Sequence, residues 1–400
     1  MQYRQMPKSK DKLSVLGFGC MRMPAKGRNI DVEEAKKQIL HSIDNGVNYL
    51  DTAWPYHGGS SESFLGEHIL SDKSVRERVF IATKLPCFAI NKTSKFDEIF
   101  NKQLEKLKVD YIDYYLLHTL NGVLWQKMVD LGIIEWMNKI KAEGKVKHMG
   151  FSFHGKQADF NKIVDGYDFD FVQVQFNILD ENYQAGIKGI DYASQKGLGV
   201  IVMEPLRGGS LVGKIPDDVK KIYDTADIKR SAADWALRWI YNHPQVTIVL
   251  SGMNNMDHIN ENIKVASETM PSSLTDKEEN IIKGVRAKYH ELLTVGCTGC
   301  AYCMPCPVGI DIPGSLKGLN DYHMFSKSQA KLFHIAFSGI MTDDGKPHYA
   351  SSCIECGKCE NKCPQNIEIR MMLKQVRKDL EGPLLKGIAT VARPLLNRRK

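Results

Sequence analysis

Eight of the ten cysteines stand in two short runs. The first is Cys297-x2-Cys300-x2-Cys303-x2-Cys306, closed by Pro307. The second is Cys353-x2-Cys356-x2-Cys359-x3-Cys363, closed by Pro364. Three thiolates at this spacing wrap one face of an iron–sulfur cluster, and a fourth before a proline reaches beyond it. Four thiolates in C-x2-C pairs can also hold a tetrahedral zinc ion. The third cysteine and the closing Cys-Pro favour a cluster, less so in the first run, whose last gap is one residue short. A cluster moves one electron at a time. Cys20 and Cys87 stand apart and read as small buried hydrophobes.

The first 272 residues carry a different chemistry. Short apolar runs end, one after another, in a polar or titratable residue: Asp51, Lys84, His118, Ser152, Asn177, Glu204 and Ser251, with Tyr56 just beyond Asp51. A phenol is a weak acid, with a reference pKa of ~10. A neighbouring ammonium favours the phenolate, so Lys84 beside Tyr56 would make it a better proton donor. Asp51 can fix and balance Lys84, and His118 can hydrogen-bond a substrate oxygen. These groups could deliver a proton to a carbonyl oxygen while a hydride reaches the carbon. Each residue alone has a plainer reading: a Lys or His after a strand is often just a solvated or satisfied end. Their recurrence at the ends of successive strands is what points to a site.

The elements that must position them alternate. The β-rich runs are 15–19, 47–51, 79–84, 112–118, 148–152, 171–177, 199–204 and 246–252. Most are near-continuous apolar stretches, as in a parallel sheet covered on both faces. Helical patterns lie between them, at about 60–70, 95–108, 131–143, 155–165, 181–196, 230–242 and 256–266. The first helix opens at Asp31, with Glu34 placed for a capping box, and stops at Gly46. Eight strand–helix pairs predict a (β/α)8 barrel, whose chemistry sits at the C-terminal strand ends. The alternative is a doubly wound open sheet. No G-x-G-x-x-G follows any strand, which counts against it.

The segments GVNYLDTAWPY, FIATK and IDYYLLH resemble the signature segments of the aldo-keto reductase family, and the likeness spans roughly residues 13–266. It implies a catalytic tetrad of Asp51, Tyr56, Lys84 and His118, and a nicotinamide dinucleotide, NADP or NAD, laid across the barrel top. By the same resemblance Ser152 and Gln173 hold the carboxamide. Arg207, Gly208 and Gly209 lie at the phosphates. Ser251, Asn254, Glu261 and Asn262 wrap the adenosine end. The family pattern is departed from in three respects: Phe153 where an Asn is common, Met203 where an aromatic stacks, and Gly252, Met253 and His258 where basic residues grip the 2′-phosphate. NADPH is therefore not expected to be greatly preferred over NADH.

Residues 273–400 form the expected second domain, entered through a helix at 272–293 capped near Ser273 or Thr275. The second cysteine run has bacterial ferredoxin spacing. In two-cluster ferredoxins the fourth cysteine serves the other cluster. Cys363 would then join the Cys297 group and Cys306 the Cys353 group. The 46-residue spacer between Cys306 and Cys353 reads as helical, so the module resembles an α-helical ferredoxin with two [4Fe-4S] clusters. Barrel and module together resemble a class of aldo-keto reductases with a C-terminal 4Fe–4S region.

Composition sets the remaining bounds. The chain has 400 residues, 43 % hydrophobic and 25 % charged, which is ordinary globular composition. No run of eighteen apolar residues and no secretory leader is read, so no membrane span and a cytoplasmic location are expected. The net charge of +7 is spread along the chain, with only the tail RPLLNRRK concentrating it. Nucleic acid is not expected as a partner. The expected partners are a small carbonyl substrate and a ferredoxin- or flavodoxin-like electron carrier. Two other readings stay open: the clusters are structural or redox-sensing, or the barrel is a scaffold for an electron-transfer protein. The loops 86–93, 119–130 and 208–229 carry Phe88, Leu120, Leu124 and Trp125, which point to an apolar or aromatic substrate.

Overall fold

A computed structural model describes the chain except for Arg28, Lys156, Lys214, Pro364 and residues 298–302, 336–337, 340–345, 384–385 and 388–400. It forms two compact units, Met1–Leu211 with Arg230–Ile282, and Val212–Lys229 with Lys283–Lys400.

The first unit is a closed barrel of eight parallel strands: β1 (Leu16–Gly19), β2 (Tyr49–Asp51), β3 (Phe80–Leu85), β4 (Ile112–Leu120), β5 (Val146–Phe153), β6 (Phe171–Gln175), β7 (Gly199–Met203) and β8 (Val246–Ser251). Each pairs with the next, and β8 closes on β1, so the open sheet is excluded. An antiparallel hairpin, Tyr3–Gln5 with Lys12–Ser14, precedes the barrel and was not foreseen. Its Met6 and Leu13 pack with Tyr49, Phe171, Tyr114 and Ile248 in the barrel interior. Tyr49 and Phe171 begin their strands, so this plug fills the end opposite Asp51 and Lys84.

The helices obey the apolar periodicity, with instructive departures. In α1 (Val32–Asp44), Asp31 occupies the cap position but its side chain accepts no cap bond. It pairs with Lys26 at 2.9 Å, while Glu34 accepts from Gln38 at 2.8 Å. The capping box expected there is therefore not formed. Gly46, at φ +93°, does supply the stop. α2 (Ser61–Leu65) runs on into a π-helical turn, Gly66–Leu70, packed against the end of α3 (Ser94–Leu107). The segment read as a loop at 119–130 holds a helix, α4 (Gly122–Asp130), capped by Asn121. The helix expected at 181–196 begins only at Gly186, because Gln184 and Gly186 take positive φ.

In the second unit, Ile312–Met324 and Lys327–Ile335 are helices, as the spacer pattern predicts, and Ile369–Leu380 is a third. They enclose a core of Val295, Ile310, Leu316, Leu319, Leu373 and Val376, against which six of the cysteines pack. The helix Asp276–Leu292 is entered through a capping box. Thr275 Oγ1 accepts from the Glu278 amide, and Glu278 accepts from the Thr275 amide at 2.9 Å. Ser273 bonds Met270 instead. Among the described residues no helix is long and apolar enough to cross a membrane.

Gly66 is the tightest helix–helix approach near the site. A Cβ there would run into the Lys106 carbonyl oxygen and lie 2.7 Å from the Leu107 carbonyl carbon. Backbone cannot yield as a side chain can, so Gly66→Ala should cost ~1–3 kcal/mol or more. Thermal unfolding against wild type would read this, and an unchanged midpoint would show that α2 shifts freely.

Candidate active site

Asp51 ends β2, Lys84 lies near the end of β3, and His118 lies near the end of β4. The Asp51 and Lys84 side chains are buried. Lys84 Nζ donates to Asp51 Oδ1 at 2.6 Å and to the Thr52 carbonyl at 2.8 Å. It stands 3.4 Å from Tyr56 Oη. Tyr56 reaches this point because the chain doubles back after Asp51 in a short turn, Tyr56–Gly59. There His57, Gly58 and Gly59 all take positive φ, and the two glycines do so at little cost. The Tyr56 and His118 rings meet edge to face at 6.2 Å. The four residues thus converge at one end of the barrel.

Their charges are set by burial and by one another. Burial works against the Lys84 ammonium, but Asp51 and Tyr56 outweigh it and hold its pKa above the ordinary value. Burial raises the Asp51 carboxyl, and Lys84 opposes that rise without cancelling it. Even a raised carboxyl titrates below a raised lysine, so the proton resides on Lys84. Burial also raises Tyr56, with Lys84 pulling the other way. The expected lowering by Lys84 is present, but in the bare protein burial exceeds it. His118 is pushed down to about 3, first by burial and then by Lys84, so its imidazole is neutral near pH 7.

A buried polar network braces Lys84 from behind, and the sequence reading missed it. Glu62 Oε1 accepts from Thr83 Oγ1 at 2.7 Å and from Gln103 Nε2 at 2.6 Å. Gln103 also donates to the Lys84 carbonyl at 3.1 Å and accepts from Tyr115 Oη at 2.6 Å. A Glu and a Gln on the apolar faces of α2 and α3 were the available signal. Cys20 and Cys87 are buried thiols raised by burial, Cys87 to about 12.

The other expected site residues line the same end. β5 and β6 set Ser152 beside Gln173. Ser152 Oγ accepts from the Thr119 amide at 2.8 Å, and Gln173 Oε1 is buried with no partner. An orphan acceptor next to a hydroxyl suits a carboxamide. Arg207, Gly208 and Gly209 form a tight turn after β7, with φ of +50°, +66° and +94°. Arg207 Nε, however, is drawn to Asp180 at 3.3 Å. Asn262 donates to Ser251 Oγ at 2.9 Å, Glu261 accepts from Ser231, and the Asn254 carbonyl accepts from Gln38 at 3.3 Å. Of the four apolar loop residues, only Phe88 is an exposed ring near the site, 5.9 Å from His118. Leu120 and Trp125 are core residues, Trp125 packing on Phe169.

In the second unit a pocket is lined by Cys303, Cys306, Cys353, Cys356 and Cys359, with Pro305, Pro307, Ile312 and Leu373. Cys303 and Cys306, from the first run, thus stand among cysteines of the second. Thiols of both runs meet at one pocket, and an all-thiol donor set of this kind suits an iron–sulfur cluster, which takes four cysteines. The Glu355 amide points at Cys353 Sγ, at 3.4 Å. Cys300 lies outside the described residues.

Residues 15–283 match the model of the aldo/keto reductase family, and residues 296–368 match that of a 4Fe-4S dicluster domain. An uncharacterized oxidoreductase of Schizosaccharomyces pombe is 29 % identical over 69 % of this chain and 89 % of its own. The NADH-specific methylglyoxal reductase of Escherichia coli is 25 % identical over 63 % and 89 %. An aldo-keto reductase from Bacillus halodurans, in its holo form, aligns at a TM-score of 0.60 with 25 % identity, over 71 % of this chain and 96 % of that one. The chain belongs to the aldo/keto reductase family. It is an oxidoreductase that carries, in addition, a C-terminal 4Fe-4S dicluster domain.

The neutral His118 can be tested directly. Its ring carbon signal, identified by loss in His118→Asn, should not titrate between pH 8 and about pH 5, where an ordinary histidine with pKa ~6.5 does. A shift centred near pH 6.5 would show that the ring is not desolvated.

Proposed function

We propose that the barrel reduces an aldehyde or ketone with a nicotinamide dinucleotide, and that the dicluster domain exchanges single electrons with a separate carrier. The observation that carries the first part is the Lys84 ammonium held between Asp51 and Tyr56, beside a neutral His118. When bound, the reduced nicotinamide supplies a hydride to the carbonyl carbon. Tyr56 Oη gives its proton to the carbonyl oxygen, and the alkoxide charge ends as a phenolate facing Lys84. The alcohol leaves, and a proton from solvent restores Tyr56. His118 donates a hydrogen bond to the same oxygen, which a neutral imidazole can do without competing for the proton. Ser152 and Gln173 orient the carboxamide. Gly208, Gly209 and Arg207 line the phosphates, and Ser251, Asn254, Glu261 and Asn262 the adenosine end. Phe88 beside His118 supports an apolar or aromatic substrate.

For the clusters, Cys353, Cys356 and Cys359 would hold one with Cys306, and Cys297, Cys300 and Cys303 the other with Cys363. The mixed pocket supports the first of these groupings. Bound there, the clusters supply one-electron transfer. Beside Cys353 a groove is lined by Arg370, Lys374, Arg377, Lys378 and Lys386 against Glu355 and Glu381, which suits an acidic carrier. A structural role is the second reading, favoured by the packing of the cysteines on the unit's own core.

Two variants, purified anaerobically, separate these roles. Tyr56→Phe should lower carbonyl reduction by ~10²–10⁴-fold and leave iron content and cluster absorbance unchanged. Cys356→Ser should lose cluster iron yet keep reduction of a small aldehyde by the barrel. Full activity in Tyr56→Phe would end the tetrad assignment, and unfolding of Cys356→Ser would favour structural clusters.

A further inference from the structure

The turns after β7 and β8 are both glycine-bearing, and one side chain spans them. Arg22 lies three residues beyond β1, at the same end of the barrel as Asp51 and Lys84. Its stem runs along Gly252: a Cβ on that glycine would stand 3.2 Å from Arg22 Cδ, 3.3 Å from Cβ and 3.4 Å from Cγ. Its guanidinium reaches the other turn, where a Cβ on Gly208 would stand 3.1 Å from Nη2. Any larger residue at either glycine would displace it.

Arg22 differs from Arg207, which is adjacent to Gly208 in sequence. Arg207 is held by Asp180, whose Oδ2 also accepts from Gln175 at 3.0 Å and Asn177 at 3.1 Å. That carboxylate already neutralises Arg207 and fixes the turn. Among the described residues no hydrogen bond or ion pair engages the Arg22 guanidinium, and its side chain is exposed. A guanidinium positioned by its stem, with all its donors free, is preorganised for a phosphate, which it can bind through two parallel hydrogen bonds.

We infer that Arg22 binds a phosphate of the nicotinamide dinucleotide and supplies the cation that Gly252 and Met253 lack. This rests on the proposed reading of the barrel mouth as the dinucleotide site. The shared chemistry is a phosphate dianion or diphosphate. Gly208 lies where the diphosphate is proposed and Gly252 where the 2′-phosphate would be, and Arg22 touches both turns. The expectation of little preference for NADPH took only the residues around Gly252 in sequence into account, and Arg22 is 230 positions away.

The test is equilibrium titration of the anaerobically purified full chain with NADPH and with NADH, followed by nucleotide fluorescence, in wild type, Arg22→Met and Arg22→Lys. Methionine keeps packing along Gly252 and removes the charge. Loss of a charge-assisted bond should weaken binding by about ten- to a hundredfold, with Arg22→Lys intermediate. Equal weakening of both nucleotides assigns Arg22 to the diphosphate, whereas weakening of NADPH alone assigns it to the 2′-phosphate. Wild-type affinity of Arg22→Met for both nucleotides overturns the inference and leaves the dinucleotide site standing. Failure of wild type to bind either nucleotide overturns the site reading itself. Unfolding midpoints of the variants report whether Arg22→Met still folds, and Arg22→Lys serves where it does not.

Discussion

The site turns on one buried ion pair. Taking an ammonium and a carboxylate out of water costs several kcal/mol per ion, and only a close, well-bonded pair offsets it. Lys84 and Asp51 meet that condition at 2.6 Å, with the Thr52 carbonyl as a third partner. Much of the surrounding structure serves that geometry. The β2–β3 register brings the two strand ends side by side. The Glu62–Thr83–Gln103 network fixes the β3 backbone, and the glycine turn returns Tyr56 to the ammonium. The hairpin plug at the far end leaves the barrel top as the face where this charge can meet a ligand. Without the ammonium, nothing near Tyr56 would oppose the rise in its pKa that burial imposes.

Much of this was legible in the sequence because strand ends are. An apolar run that stops on Asp51, Lys84 or His118 shows both the strand and the residue it presents, and parallel pairing then brings neighbouring ends together. What was not legible depends on contacts distant in sequence. Glu62 and Gln103 stand on the apolar faces of α2 and α3, but the partners they find there, Thr83 and the Lys84 carbonyl, show only when the helices are packed on β3. Arg22 meets Gly252 only when β1 closes on β8. Asp31 reads as a capping residue, but Lys26 competes for its carboxylate. Trp125 reads as a loop aromatic, but α4 turns it into the core against Phe169. In each case local pattern and tertiary partner compete for one side chain, and the partner wins.

The cysteines show the same limit in another form. Spacing alone divides them into two runs, whereas the fold places Cys303 and Cys306 of the first run around one pocket with Cys353, Cys356 and Cys359 of the second. The helical spacer that packs against Ile369–Leu380 makes this return of the chain possible. The chain therefore carries an aldo/keto reductase barrel and a 4Fe-4S dicluster domain, each with its own core.

The pH dependence of kcat/KM for aldehyde reduction tests the ion pair most directly, compared between wild type and the double variant Lys84→Met, Asp51→Asn. Both charges are removed together, so no lone buried ion is left to unfold the barrel. If the ammonium makes Tyr56 a competent acid, the variant should lose ~10²–10⁴ of the rate. Its residual activity should also persist to higher pH, because burial then acts on the phenol unopposed. A double variant with the wild-type rate and the same basic limb would contradict the claim that this pair tunes Tyr56.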